Sequence, residues 1–174
     1  MAATKKKDKK NAMAVINQNI KSGEFARIYL LYGEERYLVN QYRDKLLEAL
    51  VDKDDNLNFM KFAGNGINTT ELIDFCNEMP FFADRRVVLV ENSGLFKNSN
   101  EDFAKKLVEI EETSVVIFVE MDVDTRYKLF KAVDKNGEAL EFVTPDEKMM
   151  VTWVKSLFRA ENVATTDIAI YRII

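Results

Sequence analysis

The sequence predicts an α/β fold built on a doubly wound, mostly parallel sheet with helices on both faces. Five short apolar segments alternate with amphipathic helical patterns between about residues 27 and 143. The segments RVVLVEN and SVVIFVEM are nearly continuous in their apolar residues, as is typical of parallel strands that are covered on both faces. A length of 174 residues, 47% of them hydrophobic, suits one large domain or one domain and part of another.

The first half of the pattern contains two helices and two strands. Residues 11–25 form a polar-faced helical pattern, and the apolar run from Ile28 to Tyr32 is a strand that ends at Gly33. From Tyr37 to Leu50, apolar residues recur at steps of three and four, which indicates an amphipathic helix. The alternating segment NLNFMKFAG is the second strand.

The second half continues the alternation. In NTTELIDFCNEM, Thr69 or Thr70 is the expected N-cap, and Pro80 ends the helix near Met79 because proline disfavours helical geometry in the residue before it. The strand RVVLVEN, the helix NSNEDFAKKLVEIEE and the strand SVVIFVEM follow. The helix in DTRYKLFKAVDKNG is closed by Gly137, and ALEFV is the last strand.

These patterns divide the chain into three parts. Residues 1–12 are a lysine-rich leader that we expect to be disordered, residues 13–143 are the α/β domain, and residues 144–174 begin a helical domain. Thr144 is the expected cap and Pro145 the first residue of its helix. The sequence stops at Ile173 and Ile174 after barely two turns of a further helix, so we expect a fragment cut inside this second domain.

Composition excludes several classes of function. The net charge is −4, but the first ten residues hold five lysines, and the remainder carries 20 basic and 28 acidic side chains, which argues against the chain gripping nucleic acid by itself. Without histidine there is no His-based triad or His metal site, and the single cysteine, Cys76, is expected to be a small buried apolar residue. We see no signal peptide and no apolar run of membrane-spanning length, and therefore expect a cytoplasmic protein.

The place where such sheets bind phosphate has lost the required residues. A phosphate loop needs the pattern GxxxxGK[ST] after the first strand. The glycines let the backbone approach the phosphates, the lysine balances their charge, and the hydroxyl binds magnesium. Here only Gly33 of this pattern is present. Val39 and Asn40 occupy the positions of the lysine and the hydroxyl residue, and Glu34 and Glu35 place negative charge where the phosphates would bind. The sequence predicts a P-loop-like architecture that does not hydrolyse nucleotide.

Acidic residues after the later strands do not restore a catalytic or metal site. Glu91 after VVLV is interpreted as a solvated strand end. Asp122 and Asp124 after VVIFVEM could suggest a metal, but Asp124 more simply caps the next helix. No convergent acid, base and nucleophile are visible, so we predict no catalytic residue, no metal and no cofactor.

The stretch NEMPFFADRR suggests a binding surface. Phe81 and Phe82 lie on a loop, where both cannot easily point inward, so at least one is expected to be exposed. The alternative is that Phe82 fills the gap beneath the loop and Phe81 is an incidental surface residue. For Arg85 and Arg86 we expect local ion pairs with Asp84 or Glu91, with one arginine at the rim of a contact as the alternative.

The segments YLLYGEERYLVNQY, MPFFADRRVVLVEN and SVVIFVE together resemble the N-terminal part of the bacterial DNA polymerase III delta subunit family. The resemblance covers nearly the whole chain after the leader. It implies an AAA+ clamp-loader fold, with the start of a small helical lid domain after the sheet, in a protein of roughly twice this length.

The activity implied by the resemblance is mechanical. Such a subunit binds the sliding clamp (the beta subunit) and opens it without hydrolysing ATP, as a non-catalytic part of a DNA-directed DNA polymerase (nucleotidyltransferase) holoenzyme. The implied clamp contacts fall on Met79, Phe81 and Phe82, with Arg85 as a possible rim residue. The family's usual pair is leucine then phenylalanine, so Phe81 departs conservatively.

The resemblance also implies further partners, and two other functions stay open. The partners are the gamma/tau and delta-prime subunits in the full-length protein, and primed DNA only through the assembled loader; no membrane is involved. One alternative is a nucleotide-dependent transferase on a P-loop-like fold. The other is a free-standing adaptor that binds another protein through the MPFF loop.

Overall fold

The computed structural model describes residues 11–53, 55–144, 147–160 and 170. In this part of the chain it contains α1 (Ala12–Ser22), β1 (Ile28–Tyr32), α2 (Arg36–Leu50), β2 (Phe59–Ala63), α3 (Thr69–Asn77), β3 (Arg86–Glu91), a 3-10 turn (Leu95–Lys97), α4 (Glu101–Val108), β4 (Ser114–Glu120), α5 (Lys128–Asn136), β5 (Glu138–Glu141) and α6 (Glu147–Ala160). Strands and helices alternate as the sequence predicts. None of the helices in these residues is both long and apolar enough to cross a membrane.

The chain divides into two compact units between Phe142 and Val143. The first unit holds all five strands, and the second holds α6. The predicted cap Thr144 is described, but Pro145 lies outside the described residues, as do residues 1–10 and the chain end from Tyr171. The predicted boundary of the leader at residue 12 is wrong, because Asn11 caps α1 and Ala12 is its buried first residue. The assignment of residues 144–174 to a lid domain stays a prediction.

The sheet is entirely parallel in its described pairs and has the order β2-β3-β4-β1-β5. The chain moves outward from β1 to β2, returns through β3 and β4, and places β5 on the free side of β1. This is the doubly wound arrangement that was predicted, with its switch point between β1 and β4.

Alternate strand residues face two helical layers. One layer is formed by α3, α4 and α5, which pack on Ile28 and Leu30 of β1, Val88 and Val90 of β3, and Val116 and Phe118 of β4. On the other face, Tyr29 and Leu31 are fully buried next to α2, which in turn packs against α1. Burial on both faces explains why these strands are nearly continuous in apolar residues.

Tyr29 ties the first helix to the sheet. Its hydroxyl donates to Asn19 Oδ1 at 3.0 Å and accepts from the Ala26 backbone N–H at 3.0 Å. Burial raises the pKa of the Tyr29 hydroxyl to about 12, so it stays protonated as a donor. These two hydrogen bonds hold α1 against the sheet and satisfy both the donor and the acceptor of the buried hydroxyl.

Cys76 lies on the inner face of α3 and is fully buried, as predicted. Burial raises the pKa of its thiol to about 12, which keeps it neutral. It acts as a small apolar residue of the core.

Two predicted helix caps are wrong. Asn68, rather than Thr69 or Thr70, caps α3, because its side chain accepts from the Thr70 and Glu71 backbone N–H groups. Asp124 does not cap α5, whose N-cap is Tyr127. A turn at residues 125–126 intervenes, and in it Asp124 Oδ1 accepts from the Arg126 backbone N–H at 3.0 Å.

Candidate functional site

The loop between α3 and β3, residues 78–85, displays three large apolar side chains. Met79 is 84% exposed, Phe81 is 56% exposed and Phe82 is 96% exposed. The prediction that at least one of the two phenylalanines is exposed is confirmed, and the alternative that Phe82 fills the gap beneath the loop is wrong. The loop precedes β3, so it lies at the N-terminal edge of the parallel sheet.

The backbone of this loop is held from below by Asn58, which is buried. The Phe81 backbone N–H donates to Asn58 Oδ1 at 2.7 Å, and Asn58 Nδ2 donates to the Phe81 carbonyl at 2.9 Å. The side-chain amide therefore pairs with the Phe81 backbone as a neighbouring strand would. The backbone N–H and carbonyl of Phe81 are thus paired with Asn58, while more than half of its side chain is exposed to solvent.

Asp55 fixes the orientation of the Asn58 amide. Its Oδ2 accepts from Asn58 Nδ2 at 2.8 Å, and its Oδ1 accepts from the backbone N–H groups of Leu57 and Asn58 at 3.0 and 2.9 Å. The hydrogen bonds from the side chain and backbone of Asn58 lower the pKa of the Asp55 carboxyl, so it is ionised at neutral pH. Leu57, within this turn, is also largely exposed.

Arg86, also buried, holds the loop at a second point. Its Nε donates to the Met79 carbonyl at 3.2 Å, it forms an ion pair with Glu78 at 3.0 Å, and its guanidinium lies 4.4 Å from the centre of the Phe75 ring. The prediction of a local ion pair is confirmed for Arg86, but its partner is Glu78 and not Asp84 or Glu91. Glu91 is out of reach because it lies at the other end of β3.

Phe82 has an unfavourable backbone conformation, with a φ of +50°. The other described non-glycine residue with a positive φ is Asn92, and asparagine tolerates this region far better than phenylalanine. The Phe82 ring packs edge-on against Phe81, with the ring centres 4.7 Å apart. The loop thus holds an exposed aromatic pair in a strained conformation, which is a feature found at binding sites.

Arg85 lies beside this pair, in a setting with excess negative charge. Its guanidinium lies 5.1 Å from the centre of the Phe25 ring. Together with Phe82 it lines a cavity of about 310 Å³ that also includes four acidic side chains: Glu48, Asp52, Asp55 and Asp84. This position, next to the exposed rings, is compatible with the predicted rim role of Arg85.

Residues 33–35, predicted from sequence to be a degenerate phosphate loop, lie at the opposite, C-terminal edge of the sheet. Only residues 33–35 separate β1 from α2, and the backbone after β5 closes over them. The Phe142 N–H donates to the Tyr32 carbonyl at 2.7 Å, and the Phe142 carbonyl accepts from the Glu35 N–H at 3.3 Å. Gly33 has a φ of +129°, and a Cβ there would lie 2.2 Å from the Phe142 oxygen. Contact with this backbone is thus sufficient reason for a glycine at position 33.

An open crevice of about 950 Å³ lies next to this loop, at the switch point between β1 and β4. Its lining includes Gly33, Glu34 and Arg36 from the β1 side, and residues 121–126 after β4. The two aspartates considered as metal ligands are each paired with a cation. Asp122 pairs with Lys97 at 2.7 Å, and Asp124 with Arg126 at 2.6 Å.

Two further carboxylates at this edge make structural contacts. Glu91, interpreted from sequence as a solvated strand end, is largely buried between Arg43 and Lys61, each at 2.6 Å. Burial alone would raise its pKa, but the hydrogen bonds from Lys61 and Arg43 outweigh burial and hold the pKa below its ordinary value. Glu120 is buried and accepts from the hydroxyl and backbone N–H of Ser93 and from the Gly94 N–H.

Sequence reasoning identified the exposed side chains but missed the residues that hold them. Asn58 lies 23 residues before its partner Phe81, and Asp55 lies earlier still, so no local pattern connects them to the loop. The one available signal was the polar pair of Asp55 and Asn58 immediately before β2, since short polar side chains at that spacing commonly form side-chain-to-backbone turns.

Comparison with known proteins identifies relatives over most of the chain. The family model described as "DNA polymerase III, delta subunit" matches residues 29–143. The DNA polymerase III subunit delta of Bacillus subtilis (strain 168) is 23% identical over 162 residues, covering 83% of this chain and 45% of the relative. The chain therefore spans less than half the length of this curated relative.

Two solved structures share the fold. The Bacillus subtilis DNA clamp loader delta protein superposes with a TM-score of 0.75 at 21% identity, over 90% of this chain and 50% of that protein. A DNA polymerase III gamma subunit-related protein from Thermotoga maritima superposes with a TM-score of 0.50 at 15% identity, over 91% and 57%. These likenesses confirm the predicted AAA+-type α/β fold.

We expect Gly33→Ala to destabilise the protein by about 3 kcal/mol or more, because the new Cβ would meet the Phe142 carbonyl and φ is positive. Gly23→Ala is the matched control, because its φ is +73° but nothing lies within 4 Å of the new Cβ. It should cost only about 1–2 kcal/mol. Denaturant unfolding measures both, and equal losses would contradict the close contact at Gly33.

We expect Phe82→Asn to leave the free energy of unfolding unchanged or to raise it by up to about 1 kcal/mol, because asparagine relieves the positive-φ strain and almost no buried surface is lost. Met79→Asn is the control, since Met79 is in the same loop and is exposed but has no positive φ. It should bring no gain. Chemical denaturation measures the free energy of unfolding of both variants. A clear loss of stability in Phe82→Asn would mean that the phenylalanine ring stabilises the fold.

Proposed function

Because the chain belongs to the DNA polymerase III delta subunit family, we propose that it is a clamp-loader subunit that binds the sliding clamp and opens it through a hydrophobic wedge. The wedge consists of Met79, Phe81 and Phe82. In this role the chain does not hydrolyse ATP itself and is a non-catalytic part of the polymerase holoenzyme.

The observation that carries the proposal is the display of these three side chains on a loop whose backbone is held by buried polar groups. Large apolar side chains exposed together are typical of interaction sites in soluble proteins. Aromatic anchors that enter a pocket on a partner commonly provide most of the binding energy of an interface. A loop held by Asn58 and Arg86 can present such anchors with little loss of backbone entropy on binding.

The absence of ATP hydrolysis is supported by the geometry at the other edge of the sheet. The three-residue connection at residues 33–35 is too short for the loop that wraps phosphates, and the Phe142 carbonyl takes the Glu35 backbone N–H. Glu34 adds negative charge to the crevice. ATP would then be handled by other subunits of the loader.

The remaining parts of the proposal concern the longer protein. We assign it the gamma/tau and delta-prime subunits as partners, with primed DNA contacted only through the assembled loader, and a cytoplasmic location. In this scheme residues 144–174 begin the lid domain, and Arg85 lies at the rim of the clamp contact.

A second candidate, a nucleotide-dependent transferase, is favoured by one observation. The crevice at the switch point is where doubly wound sheets usually bind ligands, and it is lined by the cations Arg36, Lys97 and Arg126. Two of them, Lys97 and Arg126, are already paired with aspartates. We therefore rank this function below clamp binding.

We expect Phe82→Ala to weaken binding to the sliding clamp of the same organism by roughly 30-fold or more, the effect of losing a hot-spot aromatic. Phe81→Ala and Met79→Ala should weaken it in the same direction. Surface plasmon resonance with immobilised clamp gives the affinity, and thermal melting verifies that each variant is folded.

The matched control for the wedge is Met121→Ala. Met121 is 59% exposed but lies after β4, at the opposite edge of the sheet. It should not change the affinity for the clamp. Tight binding that is insensitive to all three wedge variants would place the clamp contact elsewhere, and no binding by the native chain would contradict the proposed clamp contact of this part of the protein.

We expect millimolar Mg-ATP to leave the melting temperature of the chain unchanged. A nucleotide present at 100 times its dissociation constant would stabilise the native state by about 2.7 kcal/mol, which raises the melting temperature by roughly 5–10 °C for a chain of this size. Differential scanning fluorimetry is sufficient, and a rise of that size would support the transferase.

A further inference from the structure

We propose that Asn58 is a positioning residue for the clamp contact: it contacts no partner but sets the orientation in which the loop presents Phe81 and Phe82. This inference rests on the proposed function of the loop. It extends the site from residues 79–82 to the turn of residues 55–58, which the resemblance to the family did not include.

The contacts of Asn58 are specific to the loop. Both hydrogen bonds between its side chain and the loop involve one residue, Phe81: the Phe81 N–H donates to Asn58 Oδ1, and Asn58 Nδ2 donates to the Phe81 carbonyl. These two bonds fix the orientation of the Phe81 backbone on both sides of its Cα. They consequently fix the direction of the Phe81 side chain and the start of the Phe82 backbone.

The position of Asn58 in the sheet makes it a rigid support. Its own carbonyl accepts from the Val87 N–H at 2.7 Å, which extends the pairing between β2 and β3 by one residue. The turn below it is closed by Asp55, which accepts from both its backbone and its side chain. Asn58 is buried and has no further side-chain partner among the described residues, so its amide is committed to holding the loop.

The strain at Phe82 explains why the loop needs such support. A phenylalanine at a φ of +50° has lower-energy conformations available, and it keeps this one only if the surrounding structure imposes it. The hydrogen bonds to Phe81 act on the immediately preceding residue. Without them, we expect the loop to sample other conformations and to lose entropy when it binds.

The test begins with clamp binding by Asn58→Ala, measured at a temperature well below the melting temperature of every variant. We expect affinity to fall by about tenfold, the size of effect expected from ordering one further residue on binding. Hydrogen exchange at the Phe81 amide should accelerate. Asp55→Ala is a second variant that leaves Asn58 itself in place: it removes the carboxylate that orients the Asn58 amide and closes the turn at residues 55–58, and it should weaken clamp binding in the same direction.

The matched control is Asn100→Ala. Asn100 also donates from Nδ2 to a loop carbonyl, that of Leu95 at 2.6 Å, but this loop follows β3 and lies at the opposite edge of the sheet. Its loss should leave clamp affinity and Phe81 exchange unchanged. An equal loss of affinity in Asn58→Ala and Asn100→Ala would mean that Asn58 acts only through general stability.

A double-mutant cycle against the combined Phe81→Ala/Phe82→Ala variant separates positioning of the aromatic pair from a direct contribution of Asn58 to binding. If Asn58 acts through the pair, adding Asn58→Ala to that variant weakens binding no further. If the two losses multiply, the proposal is overturned. Unchanged affinity in Asn58→Ala alongside a large loss in Phe82→Ala overturns the positioning role but keeps the wedge, whereas no loss in Phe82→Ala refutes the proposed wedge itself.

Discussion

The common direction of all five strands is the constraint on which the rest of the molecule depends. In a parallel sheet every segment before a strand lies at one edge and every segment after a strand lies at the other. The loop at residues 78–85 precedes β3 and the connection at residues 33–35 follows β1, so the two are separated by the length of a strand, roughly 20 Å. The two edges therefore differ independently: one carries the exposed apolar loop, and the other carries the short connection at residues 33–35.

The exposed loop is stable because buried polar groups are attached to its backbone. An apolar loop on a surface has no burial to fix it, and each unpaired backbone group beneath it would add a desolvation cost of about 1–3 kcal/mol. Asn58 and Arg86 meet those groups from below, and Arg86 is itself compensated by Glu78 and by the Phe75 ring. The hydrophobic side chains consequently remain exposed, while the polar groups of the loop backbone are satisfied by the fold.

The sequence was most informative where burial is continuous and least informative where a contact joins distant segments. β1 was predicted with its observed bounds, Ile28 to Tyr32, because an apolar run between a polar helix and a glycine has few alternatives. The exposure of the Phe81–Phe82 pair followed from their position on a loop. The cap at Asn68 was missed because the adjacent threonines are also good caps. The partner of Arg86 was missed because this ion pair depends on how the end of α3 lies against the start of β3. Asn58 could not be found from sequence because its partner lies 23 residues away.

The buried cysteine has a practical consequence. Cys76 is the only cysteine in the chain and its thiol is fully enclosed with a pKa of about 12, so the folded protein offers thiol reagents almost no reactive group. A single cysteine introduced at the exposed Asp84, as Asp84→Cys, could then carry a fluorophore or spin label selectively. The loop at residues 78–85 can therefore be labelled without first replacing the native cysteine in the core.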